Sequence, residues 1–151
     1  MKAKTHQLFG GTFGLVAILL INITQITPKG FLQTIIFFLL VLLGSILPDI
    51  DHYKSKMGRT VPVVSHLIYF IFGHKTVTHT LIFAMLVSGV FCIASAIFGW
   101  TFYYSLGIFL GMLSHLIGDM LVVGNRMHGG VPLLYPLAKK KFRFPITIKI
   151  E

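Results

Sequence analysis

The chain has 151 residues, 55% of them hydrophobic and only 11% charged, with a formal net charge of +9. Soluble domains carry about 25% charged residues, so this composition excludes a water-coated globule and requires lipid to cover the surplus apolar surface. The lone Cys92 excludes an intrachain disulfide, and basic residues that flank apolar spans point to anionic lipid headgroups, not nucleic acid, as their partner.

A helix that crosses the hydrocarbon core needs about 20 apolar residues. The first such stretch is 8–24, preceded by Lys2 and Lys4. No small-residue cleavage site follows it, so it is expected to be retained as a span and not removed as a signal peptide. The second stretch, 31–47, comes after the turn Thr27-Pro28-Lys29-Gly30, and Pro48 is expected to end it at Leu47. Residues 61–72, with Pro62 and His66, are apolar but too short to span, which predicts an interfacial or re-entrant helix at the mouth of a bundle. The third stretch, 80–99, has Thr76 or Thr78 as its expected N-cap. The fourth, 101–123, follows after only Gly99-Trp100, which predicts a tight helical hairpin whose Trp100, Tyr103 and Tyr104 sit at a membrane interface. The expected fold is an all-α integral membrane domain over 1–151, with four transmembrane helices and a short interfacial helix.

Four crossings place the N-terminus, residues 48–79 and the tail from Gly124 on one side. That side holds Lys2, Lys4, Lys54, Lys56, Arg59, Lys75, Arg126, Lys139, Lys140, Lys141, Arg143 and Lys149, against Lys29 alone on the other. Twelve against one assigns the first side, and both termini, to the cytoplasm by the positive-inside rule.

Four polar clusters interrupt the apolar pattern: Thr5-His6, Asp49-Ile50-Asp51-His52, the run His74 to Thr80 that contains Lys75 and His79, and His115 with Asp119. Crossings and positions bring all four to the cytoplasmic end. His115 and Asp119, at i and i+4, share a helix face, and ionisable groups at that depth face a bundle interior or cavity. Imidazoles and carboxylates without thiolates suit zinc, with manganese or iron as alternatives. His6, Asp49, His52, His74, His79, His115 and Asp119 are the candidate ligands, and Asp51 is the candidate general base or bridging ligand. These outnumber the four ligands of one zinc, so one or two ions are expected. Lys75 and Arg126 are the candidate contacts for a phosphate.

These motifs resemble the YdjM-like family of bacterial inner-membrane proteins described as metal-dependent hydrolases. The resemblance rests on Thr5-His6 with Gly10, Leu47-Pro48-Asp49-Ile50-Asp51-His52, Gly73-His74-Lys75-Thr76 with Thr78-His79-Thr80, His115-Leu116-Ile117-Gly118-Asp119, and the loop Gly130 to Pro136 with the basic run after it. The family more often carries Arg at the position of Lys75 and Ser at that of Thr80. A more distant similarity, to the all-helical zinc phospholipase C and P1 nuclease group, implies phosphoester hydrolysis.

The resulting expectation is a multi-pass protein of the bacterial inner membrane, a metal-dependent hydrolase of a lipid-linked or phosphate-bearing substrate at the cytoplasmic face. The alternative is a metal transporter or sensor that uses the same ligands. Conduction would need polar groups through the far half of the bundle, where the sequence offers chiefly Asn22, Thr24, Ser88, Ser95 and Thr101.

Overall fold

The computed structural model describes residues 3–23, 30–121 and 130–144. The described chain is all-helical apart from one isolated antiparallel bridge, Val131 to Phe142. Its α-helices are α1 (Ala3–Ile23), α2 (Phe31–Gly44), α3 (Lys56–Thr60), α4 (Pro62–Phe72), α5 (Leu81–Phe98) and α6 (Tyr103–Leu121), with 3₁₀ turns at Leu47–Asp51 and Val77–His79. Helices α1, α5 and α6 are long and apolar enough to cross a membrane, as is the segment Phe31–Asp51 formed by α2 and its 3₁₀ extension. Helix α4, with 11 residues, is about 16 Å long at 1.5 Å per residue and cannot span.

The boundaries differ from the sequence reading in ways that matter for the site. Helix α1 begins at Ala3, so His6 lies on its first turn and not ahead of it; apolar counting misses a polar first turn. Helix α2 stops at Gly44, earlier than Pro48 requires, and Pro48 instead opens the 3₁₀ turn. Helix α5 is capped by Thr80, whose hydroxyl accepts from the Phe83 N–H at 3.0 Å. Thr76 and Thr78, the expected caps, are used elsewhere: the Thr78 hydroxyl goes to Asp51. The short α3 escapes the sequence reading. Its N-cap Ser55 accepts from Gly58 N–H and donates to the Asp49 carbonyl oxygen at 2.7 Å, which pins the loop behind the site.

Helix α6 is the central element, packed on α1, α2 and α5. Without water inside a bilayer, helices associate through close packing of small residues, and this bundle follows that rule. A Cβ built on Gly111 would fall 2.2 Å from the Val41 carbonyl oxygen, and one on Gly44 would fall 2.5 Å from that of Ile108. Helices α2 and α6 therefore meet backbone to backbone. On α1, a Cβ on Gly10 would lie 2.5 Å from Ser45 Cβ. The α5–α6 hairpin turns at Gly99, in left-handed conformation with φ 67°, and is tied by Ser105 donating to the Ser88 carbonyl. Ala84, Ile108 and Met112 fill the space between α5 and α6. Leu15, Leu19, Leu39, Leu86, Val90 and Ile97 lie exposed on the outer faces, where a lipid solvent would cover them.

Candidate metal centre

The glycine contacts bring the C-terminal end of α2 against α6, the first turn of α1 onto both, and the start of α5 alongside. Each of these ends carries a polar cluster. His6, Asp51, His79, His115 and Asp119 are all buried, and Asp49 is nearly so.

His115 and His79 present their Nε2 atoms to each other at 3.3 Å. The other nitrogen of each ring is committed. His115 Nδ1–H donates to the Ser45 carbonyl at 2.7 Å. Thr78 Oγ1 donates to Asp51 Oδ2 at 2.7 Å, so His79 Nδ1–H donates in turn to Thr78 Oγ1 at 3.0 Å and Asp51 Oδ2 at 3.1 Å. Both tautomers are thereby set with the Nε2 lone pairs facing the same space. Two Nε2 atoms placed face to face leave room for one positive charge between them, a shared proton or a divalent cation. Asp49 Oδ1 lies 3.8 Å from His79 Nε2 and 3.7 Å from His115 Nε2. Asp119 Oδ2 lies 3.6 and 3.8 Å from the same two atoms. Zinc bonds of about 2.0–2.1 Å put tetrahedral ligands about 3.3 Å apart, close to this spacing.

His6 stacks on His115 with ring centroids 3.8 Å apart and an interplanar angle of 10°. It is buried, and neither of its ring nitrogens has a hydrogen-bond partner. An imidazole with no partner is costly in a protein interior, and its Nε2 lies 3.6 Å from Asp119 Oδ1. Two triads can hold a metal ion, His6–Asp49–His115 and His79–His115–Asp119, each with one donor atom per residue and all three atoms within 4.8 Å of one another. The donor set and the orphaned His6 nitrogens both fit a divalent cation.

The remaining sequence candidates take different places. Asp49 and Asp51 do not turn toward one point. In a 3₁₀ turn of about three residues per turn, positions i and i+2 diverge, and the two carboxylates bracket the His79 ring from its Nε2 and Nδ1 sides. Asp51 accepts from His74 Nδ1 at 2.9 Å, the Lys75 N–H at 2.8 Å and Thr78. A carboxylate behind a ligating imidazole in this way orients the ring and raises its basicity. Burial opposes charge on His79, but the carboxylates of Asp49 and Asp51, with Asp119 beyond them, prevail and raise its pKa to about 9. Lys75, at φ 56°, places its ammonium 2.8 Å from Asp119 Oδ2. His74 and His52 are not in the cluster; they form its rim, edge to face with centroids 4.7 Å apart. Arg126 lies outside the described residues.

The sequence reading missed Ser45, which acts through its backbone and so leaves no side-chain signal. It also missed the glycines. Gly10 with Gly14 and Gly107 with Gly111 are small-x-x-x-small pairs, a readable sign of close packing between membrane helices.

A family model described as "YdjM inner membrane protein" matches residues 1–151. The chain is 38% identical over 111 residues to the inner membrane protein YdjM of Escherichia coli strain K12, covering 71% of this chain and 52% of that protein. It is 37% identical over 106 residues to the uncharacterized protein YvsG of Bacillus subtilis strain 168, covering 70% of this chain and 60% of the relative. The matched region thus spans little more than half the length of these relatives. No solved structure matches.

Proposed function

The chain belongs to the YdjM inner membrane protein family, with four segments among the described residues long and apolar enough to cross a membrane, and from that premise we propose that it is a metal-dependent hydrolase of phosphoester or lipid-linked substrates at the cytoplasmic membrane face. The observation that carries this reading is the pair of Nε2 atoms at 3.3 Å, each ring held by a hydrogen bond behind it and flanked by two carboxylates. His115 has only one nitrogen to give, because the other is held by Ser45. The two triads that share His115 therefore describe one ion, held by His6, His79, His115, Asp49 and Asp119. Nitrogen and oxygen donors without thiolate favour zinc, manganese or iron in that place.

A divalent ion there would supply Lewis-acid polarisation of a phosphoryl oxygen and ease the ionisation of water. The chain's own residues would do the rest. The Lys75 ammonium, only a quarter exposed and paired with Asp119, is placed to neutralise a phosphate that enters over the rim. His52 Nδ1 accepts the Lys54 N–H at 3.1 Å, which leaves its Nε2–H as a donor to a phosphate oxygen. Asp51 has its oxygens filled by four donors and acts on His79, so the general-base role passes to Asp49, the most accessible carboxylate of the cluster.

The alternative, a metal transporter, draws little support from the far half of the bundle. Ser95 and Ser105 direct their hydroxyls to backbone carbonyls, and the described residues there include no acid or histidine. The test is purified protein in detergent, with metal content measured by mass spectrometry and turnover followed on p-nitrophenyl phosphate and its diester. Turnover that disappears in His115→Ala supports the proposal. Metal uptake into proteoliposomes with no turnover of either ester would sink it.

A further inference from the structure

Helix α4 is the least explained part of the molecule. It is too short to span, it sits at the site's end of the bundle against the Leu47–Asp51 turn and α3, and its outer face is bare: Val63 is 80% exposed and Phe70 89%. Between α4 and the loop before α3 runs an open apolar groove lined by Tyr53, Val63, His66, Leu67, Tyr69 and Phe70. A contiguous apolar groove of this kind on a membrane protein asks for an apolar occupant.

Two observations say which occupant. The first is an unbroken series of rings from the groove to the metal centre. Tyr53 contacts His66 and Tyr69 within the groove, at centroid separations of 5.0 and 5.4 Å, and His52 outside it at 5.7 Å. His52 meets His74 at 4.7 Å, His74 meets His79 at 5.6 Å, and His79 meets His115 at 5.1 Å. The groove thus adjoins the partly exposed rim of the candidate metal centre at His52 and His74, with the buried His79 and His115 behind it. The second is charge. Lys54 places its ammonium 5.5 Å over the Tyr53 ring, Lys56 and Arg59 are exposed on α3, which packs on α4, and among the described residues every carboxylate belongs to the candidate metal cluster. Among the described residues these cations have no acidic partner, and they complement an anionic headgroup.

We propose that the α4 groove seats an acyl chain of a membrane phospholipid, which positions the phosphate of that same lipid at the His52–His74–Lys75 rim of the metal centre. The substrate half of this inference rests on the hydrolase reading; the lipid seat does not. A soluble phosphoester would use the rim and leave the groove idle, whereas an anionic lipid drawn from the leaflet uses both.

The experiment uses the full chain in phosphatidylcholine nanodiscs doped with a long-chain phosphatidic acid that carries a diazirine in its acyl chain. After irradiation, adducts are mapped by mass spectrometry. The expected result is labelling concentrated in residues 53–72, displaced by excess long-chain phosphatidic acid and not by glycerol phosphate. Leu67→Ser and Phe70→Ser, both at exposed positions where folding is least at risk, should each lower the labelling about tenfold, the equivalent of one lost buried side chain. Lys54→Gln with Arg59→Gln should remove the preference for phosphatidic acid over a phosphatidylcholine probe. Labelling spread evenly over α1, α4 and α5, as ordinary surrounding lipid would give, overturns the proposal; so does equal displacement by glycerol phosphate. Groove labelling without turnover of any ester overturns the hydrolase reading and the substrate half with it. Turnover of p-nitrophenyl phosphate with no preference for long-chain lipid esters overturns the substrate half and leaves the hydrolase reading standing.

Discussion

The close approach of α2 and α6 is what lets a backbone carbonyl reach His115, and Gly111→Ala tests that directly. Its Cβ would meet the Val41 carbonyl oxygen at 2.2 Å, Gly44 Cα at 2.8 Å and the Ser45 nitrogen at 2.9 Å. Relief to an ordinary contact of about 3.5 Å requires the helices to part by about 1.3 Å. The Ser45 carbonyl now accepts from His115 Nδ1–H at 2.7 Å, and that much separation would take the bond to about 4 Å, past any useful hydrogen bond. Loss of a hydrogen bond behind a ligating histidine typically lowers metal affinity about 10–100-fold. The assay is zinc competition against a fluorescent chelator, with circular dichroism to confirm helix content. Gly89→Ala is the control, since a Cβ on Gly89 meets nothing within 4 Å, and it should bind as the parent does. Gly111→Ala with parental affinity and intact helices would refute the claim that backbone packing sets the ligand geometry.

Metal binding should also depend on pH. His79 must give up its proton to ligate, and its pKa is raised to about 9, so apparent affinity should climb by up to about tenfold per unit between pH 7 and 9; a flat profile would contradict it. In the metal-free protein the sign reverses. A raised imidazole stabilises the fold fully below its unfolded pKa of about 6.5 and loses that contribution as pH rises through the folded value, so apo melting temperatures should fall between pH 7 and 10. Lys75→Gln should retain metal while lowering phosphoester kcat/KM about 100-fold, or roughly 2.7 kcal/mol of transition-state stabilisation; unchanged kinetics would remove Lys75 from the site. Lys139→Cys in a Cys92→Ser background should resist an impermeant maleimide in intact cells and react after permeabilisation, and the opposite pattern would invert the assigned topology.

The gathering of His6, Asp49, His79, His115 and Asp119 at one end could be read from the sequence because it needs only the number and direction of crossings. The division of labour within the gathering could not. His6 looked like a flanking residue until α1 was seen to start at Ala3, and a polar first turn carries no hydropathy signal. Asp49 reads as a ligand and Asp51 as a general base or bridging ligand, because the sequence does not say that Pro48 opens a 3₁₀ turn that sends them to opposite nitrogens of His79. Thr78 looked like a cap, whereas its hydroxyl links Asp51 to His79. Each of these depends on a rotation of backbone by a residue or less, which hydrophobic patterning cannot resolve. The groove along α4 was half visible: an apolar 11-residue helix that cannot span predicts an interfacial position, but its join to the metal centre runs through Tyr53, on a loop that no periodicity describes.

The charge balance of the site makes a last distinction between a metal centre and a merely structural cluster. Three of the four acids in the chain, Asp49, Asp51 and Asp119, lie here, and among the described residues the lysine that meets them is Lys75, on Asp119. With neutral imidazoles this leaves, among the described residues, a formal deficit of two positive charges in a poorly solvated interior, where an uncompensated ion costs several kcal/mol. A proton on His79 covers part of the deficit; a divalent cation covers it all. If the cluster existed only to hold helices together, removal of a carboxylate would break pairs and destabilise the protein under every condition. If it exists to receive a cation, removal of Asp49, the carboxylate with no ammonium beside it, should relieve the metal-free state. Above pH 9, where His79 has lost the proton that Asp49 helps to hold, Asp49→Asn is therefore expected to melt at or above the parent's temperature without metal, and to lose the increment that zinc confers on the parent. That increment should be about 2.7 kcal/mol at a free zinc concentration one hundred times Kd. An Asp49→Asn protein that melts lower in chelator, yet gains as much from zinc as the parent, would mean that the carboxylate is structural and that the cation, if any, is held without it.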